Sequence, residues 1–288
     1  MPASPLAVRE RAQRALGQLP PFSPILNRLI ASLASEEVSF AKVAELIEKD
    51  TVLAGNILKL VNSALFGLRG TINSVRHAVS LLGIHKLRNA ALSMSVARLW
   101  DQVKTPPGWS MARFNQHSVG VAVLSDLLSQ RLAVSYAEGA FAAGLFHDLG
   151  LLLAAVGMPE QYKQLALLCQ QEPKWAQEYE IEVFGMPLAE LSTDALAAWN
   201  LPEPIRTAVR FHPTPELDPT LLEPGQIRLS RILNAADRYV KSGGNHVGLA
   251  AGVEGDGELA LGELCIGDAL PTILTEFETE FEAIKQYF

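Results

Sequence analysis

The segment Gly139–Pro159 constrains the fold most strongly. It is the most apolar stretch of the chain, yet it places His147 beside Asp148 near its centre. A buried carboxylate without a partner costs on the order of several kcal/mol, so this pair must be hydrogen-bonded, ion-paired or bound to a cation. The length approaches that of a bilayer span, but a polar pair with flanking glycines favours two buried helices. We therefore predict a core segment and no membrane span.

The composition narrows the class of protein. The chain has 288 residues and 49% hydrophobic content, enough for one large or two ordinary domains. A formal net charge of -7 argues against nucleic acid as a partner. The cysteines Cys169 and Cys265 are far apart, and the N-terminus lacks the apolar run of a secretory signal. We expect a cytoplasmic protein.

The periodicity of the apolar residues is helical, and no alternating strand pattern of useful length occurs, so the sequence predicts an all-α fold. Local signals mark the helix ends. Ser23 is a predicted N-cap, followed by Pro24 at the first helical position. Further N-caps are predicted at Ser39, at Asp50 or Thr51 and at Ser74, and Gly67 is predicted to end a helix.

The clearest internal boundary is Thr105–Gly108, where two prolines and a glycine end a helix. It divides the chain into an N-terminal helical half, 1–106, and a second helical half, 107–288. The second half contains a glycine-rich segment, Ser242–Gly257, predicted to be a loop, and an amphipathic helix from Pro271 onward.

Four polar residues on three predicted helices form a possible ligand set: His117, the adjacent pair His147 and Asp148, and Asp237. Imidazole nitrogen and carboxylate oxygen suit one divalent ion such as Mn, Fe, Ni, Zn or Mg, which could activate a water molecule. The same residues could equally form a cluster without metal, in which Asp148 pairs with the histidines. We name His212 and Arg238 as possible accessory residues, and assign no catalytic residue.

Asn62 and Ser63 place two small polar side chains among large apolar ones on a predicted helix. The simpler interpretation is that Asn62 satisfies a backbone group of a neighbouring loop. The alternative makes it part of an interface that faces a partner. We also predict that Asn62 and Ser63 organise the junction between the two halves through hydrogen bonds to the backbone.

Five segments of the chain form a recognisable set: Leu19–Pro21, Asp50–Ser63 with its continuation VNSALFG, INSVRHAVSLLG at Ile72–Gly83, Phe146–Gly150 and Trp199–Pro202. Together they resemble the HDOD family, the HD-related output domains of bacterial signal-transduction proteins within the HD superfamily. The resemblance implies an HD-domain-like helical bundle with an N-terminal helical half and a mostly regulatory role.

Two departures from the family pattern bear on function. Leu188 stands where related sequences have a histidine, and Phe211-His212 replaces a usual His-His pair. The related two-metal HD-GYP phosphodiesterases use histidines in these regions for a second ion. The resemblance therefore implies a non-catalytic regulatory module with a degenerate metal site, which acts by binding a signalling protein or a small nucleotide.

The alternative is a metal-dependent phosphohydrolase that acts on a nucleotide or a cyclic dinucleotide. Such an enzyme would need a cationic clamp for phosphate beside the metal. The candidates in the sequence are Arg113, Arg210 and Arg238.

Overall fold

The computed structural model describes residues 4–32, 40–63, 71–171, 176–244 and 256–287. Within these ranges the regular structure is helical, apart from an isolated bridge between Val134 and Ile227, and the all-α prediction is confirmed. The helices are α1 (Pro5–Leu16), α2 (Pro24–Ala31), α3 (Phe40–Glu48), α4 (Thr51–Val61), α5 (Val75–Leu82), α6 (Ile84–Trp100), α7 (Met111–Ser129), α8 (Ala140–Phe146), α9 (Leu149–Gly157), α10 (Pro159–Gln171), α11 (Ala176–Phe184), α12 (Leu188–Ala198), α13 (Glu203–Phe211), α14 (Leu229–Ser242), α15 (Asp256–Gly262) and α16 (Leu270–Lys285).

The chain forms two compact units. One contains Met1–Leu19 and Lys104–Phe277, and we call it the HD-like unit. The other contains Pro20–Val103 and Glu278–Phe288, and we call it the N-terminal unit.

These units differ from the halves 1–106 and 107–288 at both ends of the chain. Helix α1 belongs to the HD-like unit because its buried residues Val8, Ala12 and Ala15 lie on a face that packs against α9. Arg9 adds ion pairs to Glu190 and Asp194 on α12. Apolar burial and charge pairing thus connect residues that are far apart in sequence, which a boundary based on prolines does not detect.

Predicted caps begin three helices of the N-terminal unit. The Ser23 hydroxyl accepts the Leu26 N–H at 3.1 Å, Asp50 accepts two N–H groups at 3.0 Å, and Ser74 accepts the His77 N–H at 3.2 Å. Helix α4 ends at Val61, earlier than expected. The predicted signals at Ser39 and Gly67, and positions 245–255 of the predicted glycine-rich loop, lie outside the described residues.

The Asn62 side chain bonds within the N-terminal unit. Its amide donates to the Leu58 carbonyl at 2.7 Å and to the Ile72 carbonyl at 2.8 Å, while its oxygen accepts the Ile72 N–H at 2.7 Å. These bonds tie the end of α4 to the segment before α5. They correspond to the simpler interpretation, in which the Asn62 side chain satisfies backbone groups of a neighbouring segment. The Ser63 hydroxyl is buried and makes no hydrogen bond to the described residues. A role of this pair at a junction stays a prediction.

The apolar segment that contains His147 and Asp148 is part of the core. In the described chain, Ala137–Gly157 is long and apolar enough to cross a membrane, but 89% of its most apolar 18-residue window is buried inside the protein. Two glycines permit this burial. A Cβ on Gly144 would lie 2.5 Å from Ala122 Cα on α7, and one on Gly150 would lie 2.0 Å from the Leu188 carbonyl oxygen on α12. The neighbouring helices therefore approach more closely than any larger residue would permit.

Candidate metal centre

The HD-like unit brings the four predicted ligand residues together. His117 lies in the middle of α7, and Asp237 lies on α14. His147 directly follows α8 and Asp148 directly precedes α9, so the pair forms the turn between two buried helices. Both histidines are fully buried, Asp237 is buried and Asp148 is partly buried.

The donor atoms of these residues are spaced as ligands of one ion would be. The Nε2 atoms of His117 and His147 are 3.2 Å apart. Asp237 Oδ1 lies 3.1 and 3.4 Å from these nitrogens, and Asp148 Oδ2 lies 3.4 Å from each. Two ligands about 2.0 to 2.1 Å from one ion lie about 2.8 to 3.4 Å apart at octahedral or tetrahedral angles. The spacing therefore fits a common ion.

Backbone carbonyls orient two of the imidazole rings. His147 Nδ1 lies 2.7 Å from the Gly144 carbonyl, and His212 Nδ1 lies 2.7 Å from the Val209 carbonyl. A carbonyl can only accept, so each Nδ1 carries the proton and donates it. This arrangement leaves the Nε2 lone pair of each neutral ring available as a ligand. Metal-binding histidines are commonly oriented in this way, by a hydrogen bond from the other ring nitrogen.

His212 belongs to the same cluster. Its ring centroid is 5.2 Å from that of His147, and it is buried. Two groups of three residues have donor atoms within 4.8 Å of one another: His117, His147 and Asp148 form the first, and His147, His212 and Asp237 form the second. His147 is common to both groups.

Ser192 on α12 holds the turn that carries the ligands. Its hydroxyl accepts the Gly150 N–H at 2.7 Å and donates to the His147 carbonyl at 2.6 Å. Ser192 is fully buried, so both bonds form away from water. Sequence reasoning did not assign it a role, although a serine between the buried residues Leu191 and Ala195 is the kind of signal that marks such a contact.

Charges in the cluster are strongly coupled. Burial acts to lower the pKa of His147, but the Asp148 and Asp237 carboxylates outweigh it and raise the pKa to about 10. Burial acts to raise the pKa of both carboxyls, but His147 and Lys241 hold them well below their usual range. Burial and the His147 charge lower the pKa of His212 to about 4. The cluster therefore favours a cation between its carboxylates.

One oxygen supports a metal more directly. Asp237 Oδ1 is buried and accepts no well-oriented hydrogen bond from the described residues, although His117 Nε2 is close. Such an atom costs free energy unless a partner satisfies it. A divalent ion within reach of the two Nε2 atoms would satisfy it, so the residues present fit a metal ion.

Two charged neighbours were not predicted from the sequence. Lys241 Nζ lies 2.7 Å from Asp237 Oδ2, and its position four residues after Asp237 on a helix was the available signal. Glu180 accepts the Leu188 N–H at 2.8 Å, and burial raises its pKa to about 7. Leu188, which stands where related sequences have a histidine, is buried beside the cluster and places an alkyl group there.

A cavity of about 1010 Å³ opens beside the cluster. Asp148 and Asp237 line it, as do both predicted accessory residues, His212 and Arg238. Of the other two clamp candidates, Arg210 lies 3.5 Å from Glu190, and neither it nor Arg113 lines this cavity. The cations that do line it are Arg228, Arg231, Arg238 and Lys241.

An all-helical unit in which one helix supplies His, a turn supplies His-Asp and a later helix supplies Asp is an HD-like domain. The HDOD domain model matches residues 19–215, and the chain belongs to the HDOD family. This match confirms the resemblance read from the sequence motifs.

Solved structures with the same fold include an HDOD domain protein of unknown function from Geobacter sulfurreducens, with a TM-score of 0.73 and 23% identity over 99% of each chain. Another, from Marinobacter aquaeolei VT8, is provisionally described as a signal transduction protein; its TM-score is 0.73 at 19% identity, over 98% of this chain and 66% of that one. An uncharacterized protein of Treponema pallidum (strain Nichols) is 24% identical over 200 residues, which are 68% of this chain but 38% of that protein.

Proposed function

We propose that the chain is a non-catalytic regulatory HDOD module whose HD-like site binds one divalent ion. The observation that carries the proposal is the position of His147, which belongs to both possible ligand groups. Its Nδ1 donates to the Gly144 carbonyl, so only Nε2 can bind metal. One nitrogen cannot serve two ions at once, and the two groups therefore exclude each other.

Few neighbouring side chains could take the place of His147 as a ligand of a second ion. A two-metal clamp needs two ligand sets that hold the ions about 3.5 to 4 Å apart. Leu188 has no lone pair, and among the described residues His212 alone supplies a further imidazole for a second set. The donor set of nitrogen and oxygen suits Mn, Fe, Ni or Zn better than Mg. A bound ion of this kind would supply Lewis acidity, while the protein fixes the tautomers and excludes water on the core side.

Membership of the HDOD family supports a regulatory role, because the resemblance to that family implies a function in signal output. We propose that the module recognises a signalling protein or a small nucleotide.

The rival function is metal-dependent phosphohydrolysis of a nucleotide or cyclic dinucleotide. It is favoured by one observation, the cavity beside the cluster that Arg238 and Lys241 line. Cations placed beside a metal can stabilise charge that develops on a transferring phosphoryl group. We rank it second because the ligands for a second ion are incomplete.

Metal content and turnover test the proposal together. The purified chain is stripped with a chelator, reloaded with Mn²⁺ or Zn²⁺, and its metal content is measured beside hydrolysis of a cyclic dinucleotide. We expect at most one equivalent per chain and no turnover. Two equivalents would overturn the one-ion site, and turnover that is lost in Asp148→Ala but kept in Glu178→Ala would establish the hydrolase instead. Glu178 is a matched control because it lines the same cavity but is exposed.

A further inference from the structure

The Asp237 carboxylate has two faces with different partners. Its Oδ1 atom points to the imidazole nitrogens of His117 and His147, at 3.1 and 3.4 Å. Its Oδ2 atom lies 2.7 Å from Lys241 Nζ. In sites that hold two metal ions, a carboxylate can place one oxygen on each ion. Here the second oxygen has an ammonium group in that place.

Lys241 is held by more than one acid. The Asp148 and Glu180 carboxylates act on its charge together with Asp237. Its nearest partner, Asp237, keeps only 9% of its side chain exposed, so the contact is shielded from solvent on that side. The ammonium therefore lies where carboxylates converge, and His212, a potential ligand, is part of the same cluster.

We infer that Lys241 is a tethered cation that occupies the second face of the Asp237 carboxylate, where a second divalent ion would otherwise bind. The inference rests on the proposed one-ion function and gives it a residue-level cause. The ammonium neutralises Asp237 Oδ2 without a ligand set of its own, and it repels any further cation that approaches the cluster. Lys241 is thus a positioning residue that sets how much positive charge the site accepts.

The test removes the charge of Lys241 and measures metal binding. Lys241→Met removes the ammonium and keeps a long side chain, while Lys241→Gln keeps a hydrogen-bond donor for Asp237. Mn²⁺ is titrated calorimetrically into the chelator-treated full chain, and electron paramagnetic resonance reports whether bound ions are coupled. We expect both variants to bind Mn²⁺ at least about tenfold more tightly, or to take up a second equivalent, because a like charge has been removed.

Two further variants serve as controls. Lys241→Arg keeps the positive charge and should bind Mn²⁺ as the parent does. Lys49→Met removes a lysine with the same helical spacing and the same 2.7 Å contact, to Glu45, but in an exposed pair of the N-terminal unit. It should also leave Mn²⁺ binding unchanged.

The outcomes separate the inference from the proposed function. Unchanged or weaker Mn²⁺ binding in both Lys241→Met and Lys241→Gln, with circular dichroism that matches the parent, overturns the role of Lys241 alone. Two equivalents in the parent chain overturn the one-ion function, whatever the variants do.

Discussion

Asp148 lies between two imidazole nitrogens, and its charge is one reason that His147 is a strong base in the absence of metal. Replacement by alanine leaves a buried imidazolium with Asp237 as its remaining acidic partner in the cluster. We predict that Asp148→Ala lowers the free energy of unfolding of the metal-free chain by about 2 to 4 kcal/mol. Denaturant unfolding measures this change.

The control for this prediction is Glu178→Ala, which removes an exposed acid from the same cavity and should change the free energy of unfolding by less than about 0.5 kcal/mol. Equal stability of Asp148→Ala and the parent would show that the cluster does not depend on this carboxylate.

Glu180 gives the molecule a predictable response to pH. Its pKa is about 7 in the folded chain against 4.5 as the ordinary value. The folded state therefore holds the proton more tightly, so the stabilisation is complete below pH 4.5 and is lost as the pH rises through 7. We expect the metal-free parent to lose stability relative to Glu180→Gln across this interval. A constant difference between pH 4.5 and 8 would contradict the assignment.

The sequence indicated the candidate ligand residues by their chemistry but not their neighbours. His147 and Asp148 were recognisable because a polar pair in an apolar segment requires a partner. Lys241 and Ser192 were not, because a lysine or a serine on a helix is ordinary until the fold shows what it faces. His212 was named only as accessory, and its donor atom lies within 4.8 Å of those of His147 and Asp237.

At the scale of elements, Gly150 sets how closely α9 approaches α12. A methyl group there would lie 2.0 Å from a backbone oxygen, which cannot rotate away. We predict that Gly150→Ala lowers the free energy of unfolding by about 1 to 3 kcal/mol, or more if the Ser192 bonds break. It should also weaken metal binding, because the turn that carries His147 and Asp148 would move.

Gly55→Ala is the matched control for this substitution. Gly55 lies inside α4, and a Cβ there meets no atom within 4 Å. Alanine should therefore stabilise α4 by about 0.5 to 1 kcal/mol, so the two substitutions should shift the thermal midpoint in opposite directions. A shift of the same sign in both would refute the packing argument.

The Asn62 amide links the end of α4 to Ile72, which precedes α5. Asn62→Leu removes its three hydrogen bonds, and we expect the Ile72 N–H to exchange with solvent at least about tenfold faster. Asn62→Asp keeps an acceptor for that N–H and should preserve most of its protection. Hydrogen exchange followed by mass spectrometry or NMR distinguishes the two. Equal protection of Ile72 in all three chains would remove Asn62 from this role.

Helix boundaries were predictable where a side chain caps the backbone, as at Ser23, Asp50 and Ser74. The end of α4 was not, because the apolar periodicity continues past Val61 while the chain leaves the helix at Asn62. Long-range hydrogen bonds to Ile72 accompany that exit, and a local pattern does not contain them.

For the whole molecule, the placement of α1 is the main feature that local sequence signals did not reveal. We predict that Ala12→Glu, which places a charge at a buried position, separates α1 from α9. Amides of α9 should then exchange faster, and the chain should melt earlier. Gln13→Glu introduces the same residue at the next position, which is exposed. It should change neither the exchange of the α9 amides nor the melting temperature. If both variants behave alike, the packing of α1 contributes little.

The order in which the ribosome makes these segments gives α1 a further significance. Its apolar face, with Val8, Ala12 and Ala15, has no partner until α9 is made, about 140 residues later. At typical elongation rates that interval is on the order of 10 s. During this time the nascent chain carries an uncovered apolar stripe that a chaperone could bind or a neighbouring chain could capture. Helix α1 is thus made well before the helix that buries its apolar face.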